Sequence, residues 1–232
     1  MTSIKQILRS IGYQAFSGRN YNFSEIIGHE DIKMILNKAK QSKRPIHVLL
    51  VGNPGCAKTM FLTEIMRNVS DSYFVVGSNT SKAGLVNQLF ERQPKFLLID
   101  ELDKMQHQDQ TSLLHLMETG IISETKIKKT RQMHLTSWVY ATANSTNKIN
   151  EPLLSRFVIL NVPEYNFEEF TNIAVSRLSQ EKIGRETASI IAEKVWYELD
   201  SRDVRDVVKV ARLVTNQEDI SRITRIMKRY SK

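Results

Sequence analysis

The 232-residue sequence has one cysteine, five prolines, nine glycines and no apolar run that approaches membrane-spanning length. Each scarcity excludes something. A single thiol, Cys56, cannot build an intrachain disulfide framework and fits a reducing compartment. Cysteine and five scattered histidines are too sparse for a structural zinc site. With no long apolar run, and no signal-peptide-like apolar core near Met1, the expectation is a cytoplasmic protein that does not enter a membrane, compatible with nucleoid association. In residues 201–232 aromatic residues interleave poorly with the basic ones, so a base-stacking platform is not indicated there. What is present is ordinary for a globular chain: 41% hydrophobic and 25% charged residues. Lys and Arg exceed Asp and Glu by a net +8, which permits a nucleic acid partner without establishing one.

Periodicity divides the chain into three parts. Ile4, Ile7, Leu8 and Ile11 have helical spacing, so residues 1–22 read as a short amphipathic helix and a linker. From Phe23 to Pro163, short apolar strands alternate with helices. Strands are expected at 46–51, 72–76, 95–99, 138–142 and 157–160, with helices at 58–68, 81–92 and 109–118. This alternation predicts an α/β domain with a parallel five-stranded sheet flanked by helices. A polar-centred alternation over 121–137 predicts a β-hairpin. Residues 164–232 read as helices only, near 167–181, 186–199, 202–215 and 217–230, which predicts a small all-helical C-terminal domain.

The first expected strand runs straight into Gly52-Asn53-Pro54-Gly55-Cys56-Ala57-Lys58-Thr59-Met60 and a helix. A strand, a Gly-rich turn ending in Lys-Thr and a helix start can grip a polyphosphate. The turn points backbone N–H groups inward, at a helix end that carries partial positive charge. Lys58 would reach the β- and γ-phosphates, and the Thr59 hydroxyl would take a Mg²⁺ position. Ala57 stands where the strict P-loop pattern has its second glycine. That position opens the helix, so right-handed backbone angles are expected there and the change reads as mild. Cys56 requires only a small residue, and its thiol is an oxidation liability beside phosphates. About 40 residues on, Phe96-Leu97-Leu98-Ile99 ends in Asp100 and Glu101, at the sheet edge where ligands of parallel sheets bind. Asp100 would hold Mg²⁺ through its waters, and Glu101 would orient and polarise the attacking water.

The segments GNPGCAKT and FLLIDELDKM, with ATAN at 141–144 and LLSRF at 153–157, resemble an AAA+ ATPase in order and spacing. The resemblance runs from FSEIIGHEDI at 23–32 through the helical C-terminal part. It implies a P-loop NTPase fold with a helical lid, ATP and Mg²⁺ as cofactors, and further roles. Asn144 matches the polar sensor that holds the attacking water and γ-phosphate. Arg156 matches the arginine finger that reaches ATP on the next subunit. Ile27 and Gly28 match the segment that packs on adenine. Arg205 matches the lid arginine over the phosphates, with Arg202 one turn away as the alternative.

The expected hairpin, SKAGL at 81–85 and the A-K-T form of the P-loop are similar to the MCM helicase motor core and to MoxR-type ATPases, with RuvB-type motors as further relatives. In MCM-like rings this hairpin meets DNA in the pore. Here it would carry Lys126, Lys128, Lys129 and Arg131 against Glu124, basic groups suited to sequence-independent phosphate contact. Residues 201–232 add nine Lys and Arg against four Asp and Glu, a basic face for nucleic acid or an acidic partner, or a plainly solvated helix face. The resemblance therefore implies a homo-oligomeric ring, a hexamer, with ATP at subunit interfaces, working on DNA and directed by a separate targeting partner. A MoxR-like protein remodeller and a clamp-loader-like switch are the alternatives. An intact Glu101 and Arg156 disfavour the switch, and a basic hairpin without an apolar-aromatic pore loop disfavours the remodeller.

Overall fold

The computed structural model describes residues 20–126 and 129–230. The expected N-terminal helix at 3–11 lies outside them. Strands β1 (His47–Val51), β2 (Ser72–Val76), β3 (Phe96–Asp100), β6 (Trp138–Ala143) and β7 (Phe157–Asn161) form one parallel sheet in the order β2-β3-β6-β1-β7. The hairpin is a separate antiparallel pair, β4 (Ile121–Lys126) with β5 (Lys129–His134).

Alternation along the strands builds two cores. Val48, Leu50, Leu98 and Tyr140 face one side of the sheet, against Leu36 of α1 (Glu30–Gln41) and Phe61, Leu62 and Ile65 of α2 (Lys58–Asn68). Leu49, Val51, Leu97, Ile99, Val139 and Ala141 face the other, against α3 (Lys82–Arg92) and α4 (His107–Thr119). Both faces are covered, which is why β1 and β6 read as continuous apolar runs.

After the four-residue helix α5 (Glu151–Leu154) and β7, Val162–Asn166 carries the chain to a bundle of four helices: α6 (Phe167–Ser179), α7 (Arg185–Tyr197), α8 (Val204–Leu213) and α9 (Asp219–Tyr230). A capping box starts α6: Asn166 accepts from the Glu169 N–H at 2.9 Å, and Glu169 accepts from the Asn166 N–H at 3.0 Å. Phe170, Ala174, Ile191, Val195, Val207 and Val210 extend the core on the α1–α2 side without a break. The bundle therefore sits over that face, beside the ends of β1 and β3. Helix α8 starts later than the expected residue 202 because Asp203 is its N-cap. No helix among the described residues is long and apolar enough to cross a membrane.

His47 is buried at the start of β1. Its Nδ1 accepts the Val139 N–H at 3.1 Å, and burial pushes its pKa down to about 4. The folded state thus binds the His47 proton less readily than the unfolded chain, whose histidine titrates near about 6.5. The stability from neutral His47 is fully present above the unfolded value and is lost as pH falls from about 6.5 to about 4. The loss is of the order of 3 kcal/mol. Denaturant unfolding of wild type and His47→Asn across this range is expected to show a shallower pH slope in the variant; equal slopes would remove His47 as the source.

Candidate nucleotide site

The loop between β1 and α2 is shaped by close backbone approach. A Cβ on Gly52 would lie 2.6 Å from the Val162 carbonyl oxygen, so only glycine fits. Gly55 has φ +90 and lies against Asp203, 3.2 Å from where its Cβ would be. Ala57 corrects the sequence expectation. It has φ 63 and ψ 7, the left-handed region, and is the N-cap of α2 rather than its first right-handed residue. Tight closure of the loop onto Lys58 requires that reversal, and a Cβ there costs about 1–2 kcal/mol. The glycine of the strict pattern would carry no such penalty.

Lys58 is 8% exposed. Its ammonium donates to the carbonyls of Gly52 at 2.8 Å and Asn53 at 2.7 Å, across the mouth of the loop. Behind it lies the Cys56 thiol, buried and 2.9 Å from the Asn53 carbonyl oxygen. Burial pushes that thiol up against the opposing pull of Lys58, so its oxidation liability is smaller than the sequence suggested. Asn53 faces outward and donates to Glu164 at 2.7 Å.

The Thr59 hydroxyl lies 3.0 Å from both carboxylate oxygens of Asp100. Asp100 also accepts from the Thr142 hydroxyl, on the neighbouring strand β6. Thr142 in turn accepts the Glu101 N–H at 3.0 Å. Sequence reading missed Thr142, although it is the one aliphatic hydroxyl in an otherwise apolar and aromatic strand. Glu101 has φ 56, a left-handed turn straight after β3, and its carbonyl occupies the space that a Cβ on Gly77 would need. Its carboxylate pairs with Lys104 at 2.7 Å and is 34% exposed.

These residues line one cleft of about 1020 Å³. Ile27, Pro54, Gly55, Ala57, Lys58, Thr59, Met60, Asp100, Glu101, Asn144 and Arg205 all line it; Gly28, Gly52, Asn53 and Cys56 are not among the lining residues. The missing side chain of Gly28 (φ +71) leaves room for Glu169, whose Oε1 lies 2.7 Å from where a Cβ would be. Tyr165 closes the cleft near Ile27, its ring 4.8 Å from that of His29, which burial holds neutral by lowering its pKa.

The helical bundle supplies the basic side of the cleft: Arg177, Arg205, Lys209 and Arg212. Arg205 bonds Asp203 through Nε at 2.9 and 2.8 Å and through Nη2 at 2.6 Å. Burial opposes ionisation of Asp203, but the bonds from Arg205 outweigh it and hold the carboxyl below its usual range. Sequence reading also missed Asp203. Arg202 points elsewhere, its guanidinium 3.8 Å from the Trp196 ring centroid and Nη1 donating to the Trp196 carbonyl at 3.0 Å.

Two expected site groups lie outside the cleft. Arg156 is not among its lining residues and pairs with Glu118. Arg131, expected to face nucleic acid, is also tied into the hairpin. It bonds Glu124 at 2.7 Å and Asn87 of α3 at 2.6 Å and lies 4.3 Å from the Phe90 ring centroid. A guanidinium with these partners tethers the hairpin to α3. Lys126 and Lys129 are paired in the hairpin register, and Lys128 lies outside the described residues.

The residues present fit a magnesium nucleotide. Thr59 and Asp100 converge from two elements, the Lys58 ammonium is held by exchangeable carbonyls, and Gly52 and Gly55 leave space that a Cβ would fill.

Comparison with known proteins agrees with this geometry. The family model described as "ATPase family associated with various cellular activities (AAA)" matches residues 48–164, half of the chain. The chain is 33% identical over 179 residues to DNA replication licensing factor mcm2 of Xenopus laevis, covering 59% of this chain and 20% of that protein. It is 25% identical over 221 residues to DNA replication licensing factor MCM7 of Oryza sativa subsp. indica, covering 83% and 27%. It thus spans about a fifth to a quarter of these relatives' length. Among solved structures, the Thermotoga maritima RuvB Holliday junction branch migration motor has a TM-score of 0.65 at 22% identity, covering 89% of this chain and 71% of that one. A point mutant of the same RuvB has a TM-score of 0.68 at 22% identity, covering 89% and 72%. At this identity the likeness is one of fold.

The left-handed Ala57 makes a direct test. Ala57→Gly is expected to raise unfolding stability by roughly 0.5 kcal/mol, the relieved strain exceeding the added chain entropy. A loss of about 1 kcal/mol, as at a right-handed helical position, would contradict the geometry.

Proposed function

The chain belongs to the ATPase family associated with various cellular activities, and we propose that it is the motor part of a ring, a hexamer, that hydrolyses Mg²⁺-ATP between subunits and moves on or remodels DNA. The observation that carries the ring reading is the position of Arg156. The cleft gathers the phosphate loop, two acidic residues and the polar strand end, yet this arginine pairs with Glu118 outside it. A guanidinium finger that serves hydrolysis from there serves another copy's cleft.

Within one cleft we assign the roles as follows, and the contacts described above are compatible with them. Lys58 exchanges the carbonyls of Gly52 and Asn53 for β- and γ-phosphate oxygens. Thr59 and Asp100 would hold Mg²⁺, which would offset the phosphate charge. Glu101, released from Lys104, accepts the proton of the attacking water while Asn144 orients that water. Thr142 keeps Asp100 and the Glu101 backbone in register. Arg205, released from Asp203, meets the phosphates from the bundle side, and Ile27 packs on adenine beside Gly28.

The DNA reading draws on relatives whose names describe replication licensing factors and a Holliday junction motor. It also draws on the hairpin lysines Lys126, Lys128 and Lys129, with Arg131 in the anchoring role. A targeting partner would supply the choice of site on DNA. The protein-remodelling alternative shares every ATP contact and differs only in what the hairpin grips.

Turnover measured without DNA and with single-stranded, duplex or branched DNA is expected to rise with one of the three. Charge reversal at Lys126, Lys128 and Lys129 is expected to flatten the salt dependence of DNA binding. No stimulation by any DNA, with an unchanged salt slope, would favour the remodeller. Glu101→Gln is expected to retain ATP binding and lose turnover; normal turnover would remove Glu101 as the water-activating group.

A further inference from the structure

Arg156 follows the short helix α5 and directly precedes β7. Its Nη2 donates to Oε1 of Glu118, in the last turn of α4. Among the described residues, Glu118 is the one partner of this guanidinium. The bond is charge-assisted, which makes it strong for a single contact. It also uses only one of five N–H donors, so most of the fork stays available to another anion. Both side chains are nearly half exposed, 40% for Arg156 and 45% for Glu118, so the pair contributes little to folding stability. Its geometry is suited to aiming a side chain.

We propose that Glu118 is the positioning residue for Arg156. An unanchored arginine on a surface samples many rotamers, and most of them point away from any given phosphate. Tied at one nitrogen to the end of α4, the guanidinium keeps one direction and presents its free N–H groups to the nucleotide of a neighbouring copy. The anchor has a second consequence. Gly120 ends α4 two residues after Glu118, and its carbonyl accepts the Leu135 N–H at 2.7 Å, which closes the root of the β4–β5 hairpin. The residue that holds Arg156 is therefore two residues from the root of the hairpin.

This inference rests on Arg156 acting in trans, and the test separates the two ideas. Steady-state kcat and KM for ATP are measured for wild type, Glu118→Gln, Arg156→Ala and the double variant, with melting midpoints alongside. Glu118→Gln is expected to lower kcat about 10- to 100-fold, the scale of a misplaced catalytic group, with KM within about twofold and an unchanged midpoint. In the Arg156→Ala background, Glu118→Gln is expected to add nothing, since a positioning residue has nothing left to position. Glu118→Asp, which keeps the charge, is expected to recover part of the loss. If Arg156→Ala abolishes turnover while Glu118→Gln matches wild type, or if the two losses multiply, the positioning role is overturned alone. If Arg156→Ala turns over normally, the finger reading falls and this inference with it.

Discussion

The site depends on one carboxylate held from two sides. Asp100 ends β3 and accepts hydrogen bonds from Thr59, at the start of α2, and from Thr142, near the end of β6. Those contacts exist because the sheet order sets β6 between β3 and β1, and because α2 starts directly from the loop that β1 feeds. The Thr59 hydroxyl, the Asp100 carboxylate and the strand that leads into Asn144 are thereby fixed in one frame. An unpaired carboxylate at this depth would be costly, and two hydroxyls meet that cost without adding opposing charge. Asp100 therefore remains available to a cation.

Around that frame, the reactive groups rest in contacts that nucleotide can replace. Lys58 is bound to carbonyls of its own loop, Glu101 to Lys104 and Arg205 to Asp203. Each bond satisfies a charge that would otherwise sit unpaired at the cleft, and each partner is weaker than a polyphosphate with its metal. Two left-handed non-glycine residues, Ala57 and Glu101, line the cleft.

Much of this was legible in the residues. Continuous apolar strands between helical segments pointed to the parallel sheet, because burial on both faces leaves no polar alternation to confuse the reading. The spacing of Lys58-Thr59 from Asp100-Glu101 placed the cleft. The backbone reversal at Ala57 was not legible, since pattern matching reports which residue stands at a position and not the angle it adopts. That Arg205 lines the cleft while Arg202 lies over Trp196 was not legible, because it depends on the Asp203 cap that begins α8 after Arg202. Arg131 was read from local charge alone, and its partners Asn87 and Phe90 lie on a helix some 40 residues upstream in sequence. Thr142 and Glu118 gain their meaning only from neighbours brought close by the fold.

The central claim is that one chain holds only part of a hydrolytic site. The most direct test is ATP turnover per subunit as a function of protein concentration, with the state of assembly followed by light scattering. Turnover per subunit is expected to rise steeply as subunits associate and to reach a plateau once assembly is complete. Turnover that is constant from the dilute monomer upward would mean that the cleft works without a second copy, and would contradict the account.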